Sequence, residues 1–223
     1  QTSTIDDNPF LPTEFVKNLK REYAGTVYYN RFILGQWMAA EGIIYRPFAD
    51  SIAAGDRRFY WPPDQSLRPL RVQIGVDFGG NGSKHAFVAT GILPGYECIV
   101  GLASQRVDAQ GQDATALCQA FLAFCQAVFA KWGEIHAVYC DNAEQVLIQS
   151  LRSSLRASPF AWLSSRVHNA RKAPILDRIR LTSLLMGGGR FFVLPAAQTL
   201  ADALATALWS GKRTGQDERL DDG

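Results

Sequence analysis

The chain has 223 residues, which is within the range of one large domain or of one domain with an appendage. It is 47% hydrophobic, as is ordinary for a globular protein, and no apolar run is expected to be long enough to span a bilayer. The formal net charge is only +2, so bulk electrostatics do not single out a nucleic-acid binder.

The amino end and the cysteines indicate a cytosolic protein. Residues 1–8 are polar and acidic and do not resemble a signal peptide. The cysteines have no C-x-x-C spacing and lie in apolar patterns, so we expect reduced core residues and no structural zinc site. These cysteines are Cys98, Cys118, Cys125 and Cys140.

Residues 1–69 predict a helical appendage and linker, not a second full domain. Helices are predicted at Pro12–Tyr23 and Tyr28–Ala40. Prolines interrupt Ile43–Asp64, which is therefore expected to be irregular.

From residue 70 onward, strands and helices follow in a regular order. Three strands come first with glycine-rich turns between them, which predicts an antiparallel meander. Single strands and helices then alternate, which is typical of a mixed sheet with helices on both faces. The predicted strands are 71–78, 85–93, 96–107, 135–141, 161–168 and 190–195, and the predicted helices are 112–132, 143–156, 174–186 and 197–209.

A carboxylate ends the first of these strands. Apolar residues alternate through 71–78, which predicts a buried strand, and Asp77 stands among them. An isolated buried carboxylate costs several kcal/mol to desolvate, so it needs a strong partner such as a divalent metal. The alternative is an ordinary aspartate that begins a turn before Gly79 and Gly80.

A second acid repeats this arrangement. Asp141 ends the predicted strand 135–141 and precedes a predicted helix. Two acids at the ends of two core strands suit a pair of metal ions that act on phosphates. Glu144, three residues later, is interpreted first as a helix N-terminal charge and second as a metal ligand. Lys84 is interpreted first as an exposed turn lysine and second as a phosphate contact.

Three segments carry a resemblance to a known family. The run Ile74–Val88 (IGVDFGGNGSKHAFV) resembles the first nuclease motif of phage terminase large subunits, and Tyr139–Glu144 (YCDNAE) resembles the second. The stretch from Thr4 to Gly42 is similar to the segment that joins the packaging ATPase to the nuclease. The chain therefore resembles the C-terminal nuclease domain of a phage terminase large subunit over nearly its whole length.

The resemblance implies a ribonuclease-H-like α/β fold, with residues 1–69 as the linker and residues 70–223 as the nuclease domain. It implies a metal-dependent endonuclease that cuts concatemeric double-stranded viral DNA during genome packaging, in the cytoplasm of a bacterial host. Asp77 and Asp141 are expected to be catalytic and to hold two Mg²⁺ or Mn²⁺ ions. The expected partners are double-stranded DNA, a packaging ATPase domain, the portal and the small terminase subunit, and no membrane.

The family also uses a third acid, on a helix after the last core strands. Asp202 comes before the expected position, whereas Asp221 and Asp222 lie near it. The third ligand is therefore expected at one of these two residues or beyond Gly223, which implies a nuclease domain truncated at its C-terminus. The chain has no G-x-x-x-x-G-K-[ST] loop, so only the nuclease half of the family is expected here.

Basic residues between 166 and 180 are candidate phosphate contacts. Such a cluster is usually a solvated face, and its place on the same domain as the two acids is what makes it a candidate. Arg171 and Lys172 are the predicted DNA-binding residues, because they lie in a loop between a strand and a helix. The other members are Arg166, His168, Arg178 and Arg180.

Three alternatives stay open. An actin- or hexokinase-like phosphotransferase also opens on V-D-F-G-G, but that group needs a duplicated domain and a second Asp-Gly phosphate loop, and here Asn142 follows Asp141. A resolvase- or transposase-like nuclease is the second alternative, and a docking module without activity is the third. Metal-dependent nicking of DNA, compared with ATP hydrolysis, separates a nuclease from a phosphotransferase.

Overall fold

A computed structural model describes residue 5 and residues 11–23, 42–79, 83–109, 113–141, 144–171 and 173–209. The chain divides into two compact units. The first comprises Gln1–Phe59, Ala173–Phe191 and Asp202–Asp221, and the second comprises Tyr60–Lys172 and Phe192–Ala201. The division between residues 69 and 70 expected from the sequence stays a prediction.

The first unit is built from helices. Helix α1 runs from Thr13 to Tyr23, as predicted, and contacts α5, which runs from Ile175 to Gly187. Helix α2 spans Arg46–Ala54. The predicted helix at Tyr28–Ala40 lies outside the described residues.

Helix α2 corrects the expectation that Ile43–Asp64 is irregular. Pro47 lies in its first turn, where a missing amide costs no hydrogen bond and the fixed φ suits a helix. Phe48 and Ser51 are buried along its inner side. Gly55 ends the helix in the left-handed conformation at φ 68°. At this position the proline helps to begin the helix and does not interrupt it.

The second unit contains a mixed sheet of six strands in the order β5-β4-β1-β2-β3-β6. The strands are β1 Arg71–Asp77, β2 Lys84–Ile92, β3 Ile99–Asp108, β4 Ala137–Cys140, β5 Val167–Asn169 and β6 Phe191–Val193. The first three form the predicted antiparallel meander, and β4 and β5 extend it as parallel strands on the other side of β1. The predicted order of strands and helices is confirmed.

Two helices cover one face of this sheet, here called the core face. They are α3, Ala114–Trp132, and α4, Gln145–Arg156. Phe87 on β2 is fully buried, and its ring makes an edge contact with Phe121 of α3 at a centroid distance of 5.4 Å. A buried aromatic side chain of this size contributes about 1.5–3 kcal/mol through the area it removes from water.

On the opposite face of the sheet, a helical segment packs against β3. A Cβ at Gly101 would lie 2.8 Å from a methyl carbon of Leu200 and 3.6 Å from the side chain of Ala197. Both neighbours belong to a short 3-10 helix, Pro195–Ala197, and the start of α6, Gln198–Thr206. Glycine at 101 lets this segment approach β3 closely, so helical segments lie on both faces, as predicted.

Two further expectations need correction. The predicted strand 161–168 is mostly a 3-10 helix, Ala161–Arg166, and only its end pairs as β5. The hydroxyls of Ser164 and Ser165 donate to backbone carbonyls three residues earlier, which favours a helical turn over a strand.

Helix α3 is long and apolar enough to cross a membrane by length and composition, contrary to the sequence expectation. A core helix of a globular protein passes the same test. In the structure Leu117, Phe121 and Cys125 of α3 are buried in the same cluster as Ile74 and Phe87 of the sheet. Apolar composition here serves the core of the second unit.

Candidate metal centre

The two predicted acids stand side by side where two neighbouring strands end. β1 and β4 run parallel, and their register pairs Val76 with Cys140. The backbone amide of Asp141 donates a hydrogen bond of 3.1 Å to the carbonyl oxygen of Val76, so the ladder continues one step past β4. Asp77 and Asp141 are the next residues in register, and residues aligned in this way lie on the same face of a sheet.

That face is open to solvent around the acids. Gly75 and Asp77 are exposed on β1, and Tyr139 on β4 is 39% exposed. Asp141 is half-buried. The face that carries these residues is here called the open face.

The expectation that Asp77 is buried is wrong. β1 buries only its alternate residues Val72, Ile74 and Val76, which lie on the core face, so the intervening positions remain accessible. A solvated carboxylate needs no partner to offset desolvation. The argument for a metal therefore rests on the pairing of Asp77 with Asp141, because two adjacent carboxylates repel each other unless a cation or a proton lies between them.

A residue that sequence reasoning did not single out supports the loop after Asp77. The backbone amide of Gly79 donates a hydrogen bond of 3.2 Å to Nδ1 of His85, and the ring of His85 meets that of Phe78 edge-on at 6.3 Å. Burial lowers the pKa of His85, and the nearby charge of Asp77 opposes that effect in part. His85 alternates in phase with the buried Phe87 and Ala89, so the period of two in the sequence carried this signal.

The donor set of the acid pair fits a hard divalent cation. Mg²⁺ in enzymes is commonly held by one or two carboxylates together with waters and substrate phosphates, and Mn²⁺ accepts the same oxygen ligands. Asp77 and Asp141 supply two such carboxylates at an accessible position. Within the part of the chain that the structure describes, no group of three or more His, Cys, Asp or Glu side chains is placed to hold a metal ion. The candidate third acids Asp221 and Asp222 lie outside the described residues.

The predicted DNA-binding residues follow β5. The amide of Ala170 donates to the carbonyl oxygen of Cys140 at 2.8 Å, so the chain leaves β5 beside the end of β4. Arg171 comes next and is exposed, at the same end of the strands as Asp141. Lys172 lies outside the described residues.

One member of the predicted basic cluster, Arg166, lies away from this site. Arg166 precedes β5 and donates to the carbonyl oxygen of Ile135, which precedes β4, so it lies at the opposite end of these strands from Asp141. It also pairs with Glu134 and stacks over the ring of Trp162 at 5.0 Å. Arg178 and Arg180 belong to the first unit. Arg166 and Arg171 are close in sequence but lie at opposite ends of β5, because the whole of this edge strand runs between them.

The remaining candidates have ordinary surroundings. Lys84 pairs with Asp108 at 3.2 Å on the exposed surface. Glu144 is exposed at the N-cap position of α4, where its charge suits the helix dipole. Asp202 is exposed on α6. His168 pairs in register with Tyr139, and the two rings lie 5.8 Å apart on the open face.

Comparison with known proteins finds similarity in structure only. No protein-family model matches the chain, and no curated protein sequence matches it. The large terminase of the thermophilic bacteriophage D6E matches 98% of this chain with a TM-score of 0.73 and 20% identity, and the same terminase in complex with ADP gives the same values. The large terminase nuclease of the thermophilic phage G20c matches 83% of this chain and 90% of its own, with a TM-score of 0.49 and 16% identity.

This chain spans about half the length of the D6E large terminase, since the match covers 50% of that protein. At 20% identity the match shows a shared fold. The mixed six-stranded sheet with helical segments on both faces confirms the predicted fold class. The chain therefore has the ribonuclease-H-like fold, in the form found in the matched half of a phage large terminase.

Proposed function

We propose that this chain is the nuclease part of a phage terminase large subunit, a metal-dependent endonuclease that cuts concatemeric double-stranded viral DNA during genome packaging. The observation that carries the proposal is the adjacency of Asp77 and Asp141 where parallel strands β1 and β4 end. The fold shared with the D6E large terminase supports it. The fold alone does not give the activity, since one fold hosts many functions.

Each part of the site has a role in this proposal. Asp77 and Asp141 would hold two Mg²⁺ or Mn²⁺ ions, together with a third acid outside the described residues. Bound divalent ions activate water and stabilise the leaving oxygen of a phosphodiester. The open face leaves room for a duplex, because Gly75 and Asp77 are exposed and no side chain projects at Gly75. Arg171, and Lys172 by its position in the sequence, would contact the DNA backbone.

The proposal also implies partners. A packaging ATPase domain would be joined to this chain through residues 1–69, and the portal and the small terminase subunit would complete the packaging machine. The work would take place in the cytoplasm of a bacterial host. The phosphate contacts position the duplex and carry no sequence information directly, so cutting is expected to show little sequence preference.

The test is metal-dependent cutting of a supercoiled plasmid by the purified chain with Mn²⁺ or Mg²⁺. Asp77→Ala and Asp141→Ala are each expected to lower the cutting rate at least about a hundredfold, because losing a group that only orients a ligand already costs 10–100-fold. Asp64→Ala is the matched control, since Asp64 is an exposed turn acid of the same unit.

Wild-type cutting by either acid variant, with the same metal requirement, would reject the assigned site. ATP hydrolysis that depends on Asp77 without DNA cutting would favour the actin- or hexokinase-like alternative. Both acid variants should remain folded, because neither side chain belongs to the buried core of the second unit.

A further inference from the structure

A row of residues crosses the open face at the level of the two acids. The register of β1 with β2 pairs Asp77 with Ala86, and the register of β2 with β3 pairs Ala86 with Arg106. Asp141 aligns with Asp77 on the other side. Residues paired directly across strands lie on the same face, so Asp141, Asp77, Ala86 and Arg106 form one line.

Arg106 is an exposed cation at the end of this line. Among the described residues, none makes a hydrogen bond or an ion pair with the side chain of Arg106. The neighbouring cation Lys84, by contrast, is paired with Asp108 at 3.2 Å. Within the described part of the chain, the guanidinium of Arg106 therefore has donors that a ligand can occupy.

The distance suits a ligand that also reaches the acids. Neighbouring strands lie about 4.8 Å apart, so two steps place the backbones of Asp77 and Arg106 roughly 10 Å from each other. The residue between them is Ala86, whose methyl group leaves a shallow gap on the open face. An extended arginine side chain can reach across this gap toward the acids.

We propose that Arg106 contacts a phosphate of the DNA strand that lies over Asp77 and Asp141. The inference rests on the proposed function, because it takes that DNA as the ligand. A guanidinium matches a phosphate with two parallel hydrogen bonds, and it keeps its charge at every relevant pH. The separation of roughly 10 Å between Asp77 and Arg106 equals about three base-pair steps of 3.4 Å along the duplex. The phosphate that Arg106 contacts therefore lies within a few nucleotides of the one at the acids.

The contact would place the DNA from β4 toward the exposed end of β3 at Arg106, beyond Gly101, where Leu200 and Ala197 cover the strand. Arg171 beyond β5 and Arg106 on β3 would then hold the strand on either side of the acids. This assignment differs from the predicted basic cluster, because Arg106 is remote in sequence from residues 166–180 and only the strand register brings it to the site.

The experiment measures the affinity of the full chain for a short duplex across a salt series in metal-free buffer, where no cutting occurs. Arg106→Ala is expected to weaken binding about tenfold and to lower the salt slope by about one, which is the loss of one phosphate contact. Arg106→Lys should keep the slope. Arg71→Ala is the matched control and should change neither value.

Arg71 is an exposed arginine on the same face of β1, six residues from Asp77, and so about 20 Å from the acids. That separation exceeds the screening length of about 10 Å at 0.1 M salt, so its removal tests for a general charge effect. If Arg106→Ala does not fold, Arg106→Gln takes its place, since it keeps part of the stem and removes the charge.

The outcomes separate the two proposals. A lower slope for Arg106→Ala alone supports the contact, even if the wild-type chain fails to cut DNA and the proposed function falls. An unchanged salt slope in Arg106→Ala, or an equal change in Arg71→Ala, overturns the contact. If the wild-type chain still cuts DNA, the proposed function then stands without it. A wild-type chain that binds no duplex also overturns the contact.

Discussion

At the scale of single residues, the surroundings of Asp77 depend on its neighbours in the β1–β2 connection. His85 is 6% exposed, and its Nδ1 accepts a hydrogen bond from the amide of Gly79, two residues after Asp77. A nitrogen that accepts this bond carries no proton, so the neutral form of the imidazole is the one that the fold uses. Protonation would cost both the hydrogen bond and the burial of a charge.

This arrangement predicts a pH-dependent stability. The pKa of folded His85 is lowered from 6.5, chiefly by burial, so the unfolded chain binds a proton more readily than the folded chain. The contribution of His85 is therefore complete above about pH 6.5 and is lost as the pH falls below it toward the lowered pKa. The slope reaches at most about 1.4 kcal/mol per pH unit. Urea unfolding between pH 7.5 and pH 5.5 measures it.

His85→Asn is the comparison variant, because its amide oxygen can accept the Gly79 hydrogen bond and does not titrate. Its stability should fall less over this pH range than that of the wild type. The other two histidines are common to both proteins, so the difference isolates His85. Identical pH dependence in the two proteins would show that His85 is not the titrating group.

At the scale of elements, the adjacency of the two acids is a property of strand pairing. β4 is only four residues long, yet it pairs in parallel register with β1 and β5 on its two sides. β1 ends at Asp77, and Gly79 follows two residues later. Gly79 lies against the backbone of Lys84, the first residue of β2, so this close approach requires a residue without a side chain.

Gly79→Ala should destabilise this connection. An added Cβ would lie 2.5 Å from the carbonyl carbon of Lys84 and 2.9 Å from its nitrogen, and backbone atoms cannot move aside without disturbing the strand pairing. The expected cost is about 1–3 kcal/mol in the free energy of unfolding, measured by urea titration.

Gly75→Ala is the matched control two positions before Asp77. Its Cβ would meet the carbonyl oxygen of Val88 at 3.9 Å, which is ordinary contact, so its effect should be small. Equal stability changes in the two variants would mean that the close approach at Gly79 relaxes at no cost.

At the scale of the whole molecule, the described chain has two units with different construction. The first is helical, and the second is a sheet with helical segments on both faces. All four cysteines are free, and three of them, Cys118, Cys125 and Cys140, are buried in the core of the second unit. Cys98 is half-buried just before β3.

Thiol reactivity should report the integrity of this core. Burial raises the pKa of Cys125 and of Cys140 to about 12, with Arg152 opposing the effect at Cys140, so neither forms appreciable thiolate at pH 8. Cys118 is also buried, so a thiol reagent should label Cys98 in the native chain and all four cysteines in denaturant. Cys98→Ser should abolish the native reaction. Rapid labelling of more than one thiol in the native wild type would mean that the core opens readily.

The sequence by itself determined the order of strands and helices, the antiparallel meander and the position of Asp77 and Asp141 at the ends of two strands. These follow from local patterns: alternation of apolar residues, glycine turns, and acids placed at strand ends. Local patterns were less informative where one residue type occurs both inside and outside a regular element. Pro47 begins a helix that was expected to be irregular chain, and the serines at 164 and 165 turn a predicted strand into a 3-10 helix.

Only the tertiary structure decided which residues share a surface. The solvent exposure of Asp77, the support from His85 and the alignment of Arg106 with the acids all depend on register between strands far apart in sequence. The separation of Arg166 from Arg171 likewise depends on which way β5 runs. The pairing of distant strands is set by the free energy of burying the whole core face. That free energy depends on residues from many segments, so no single segment of the sequence predicts it.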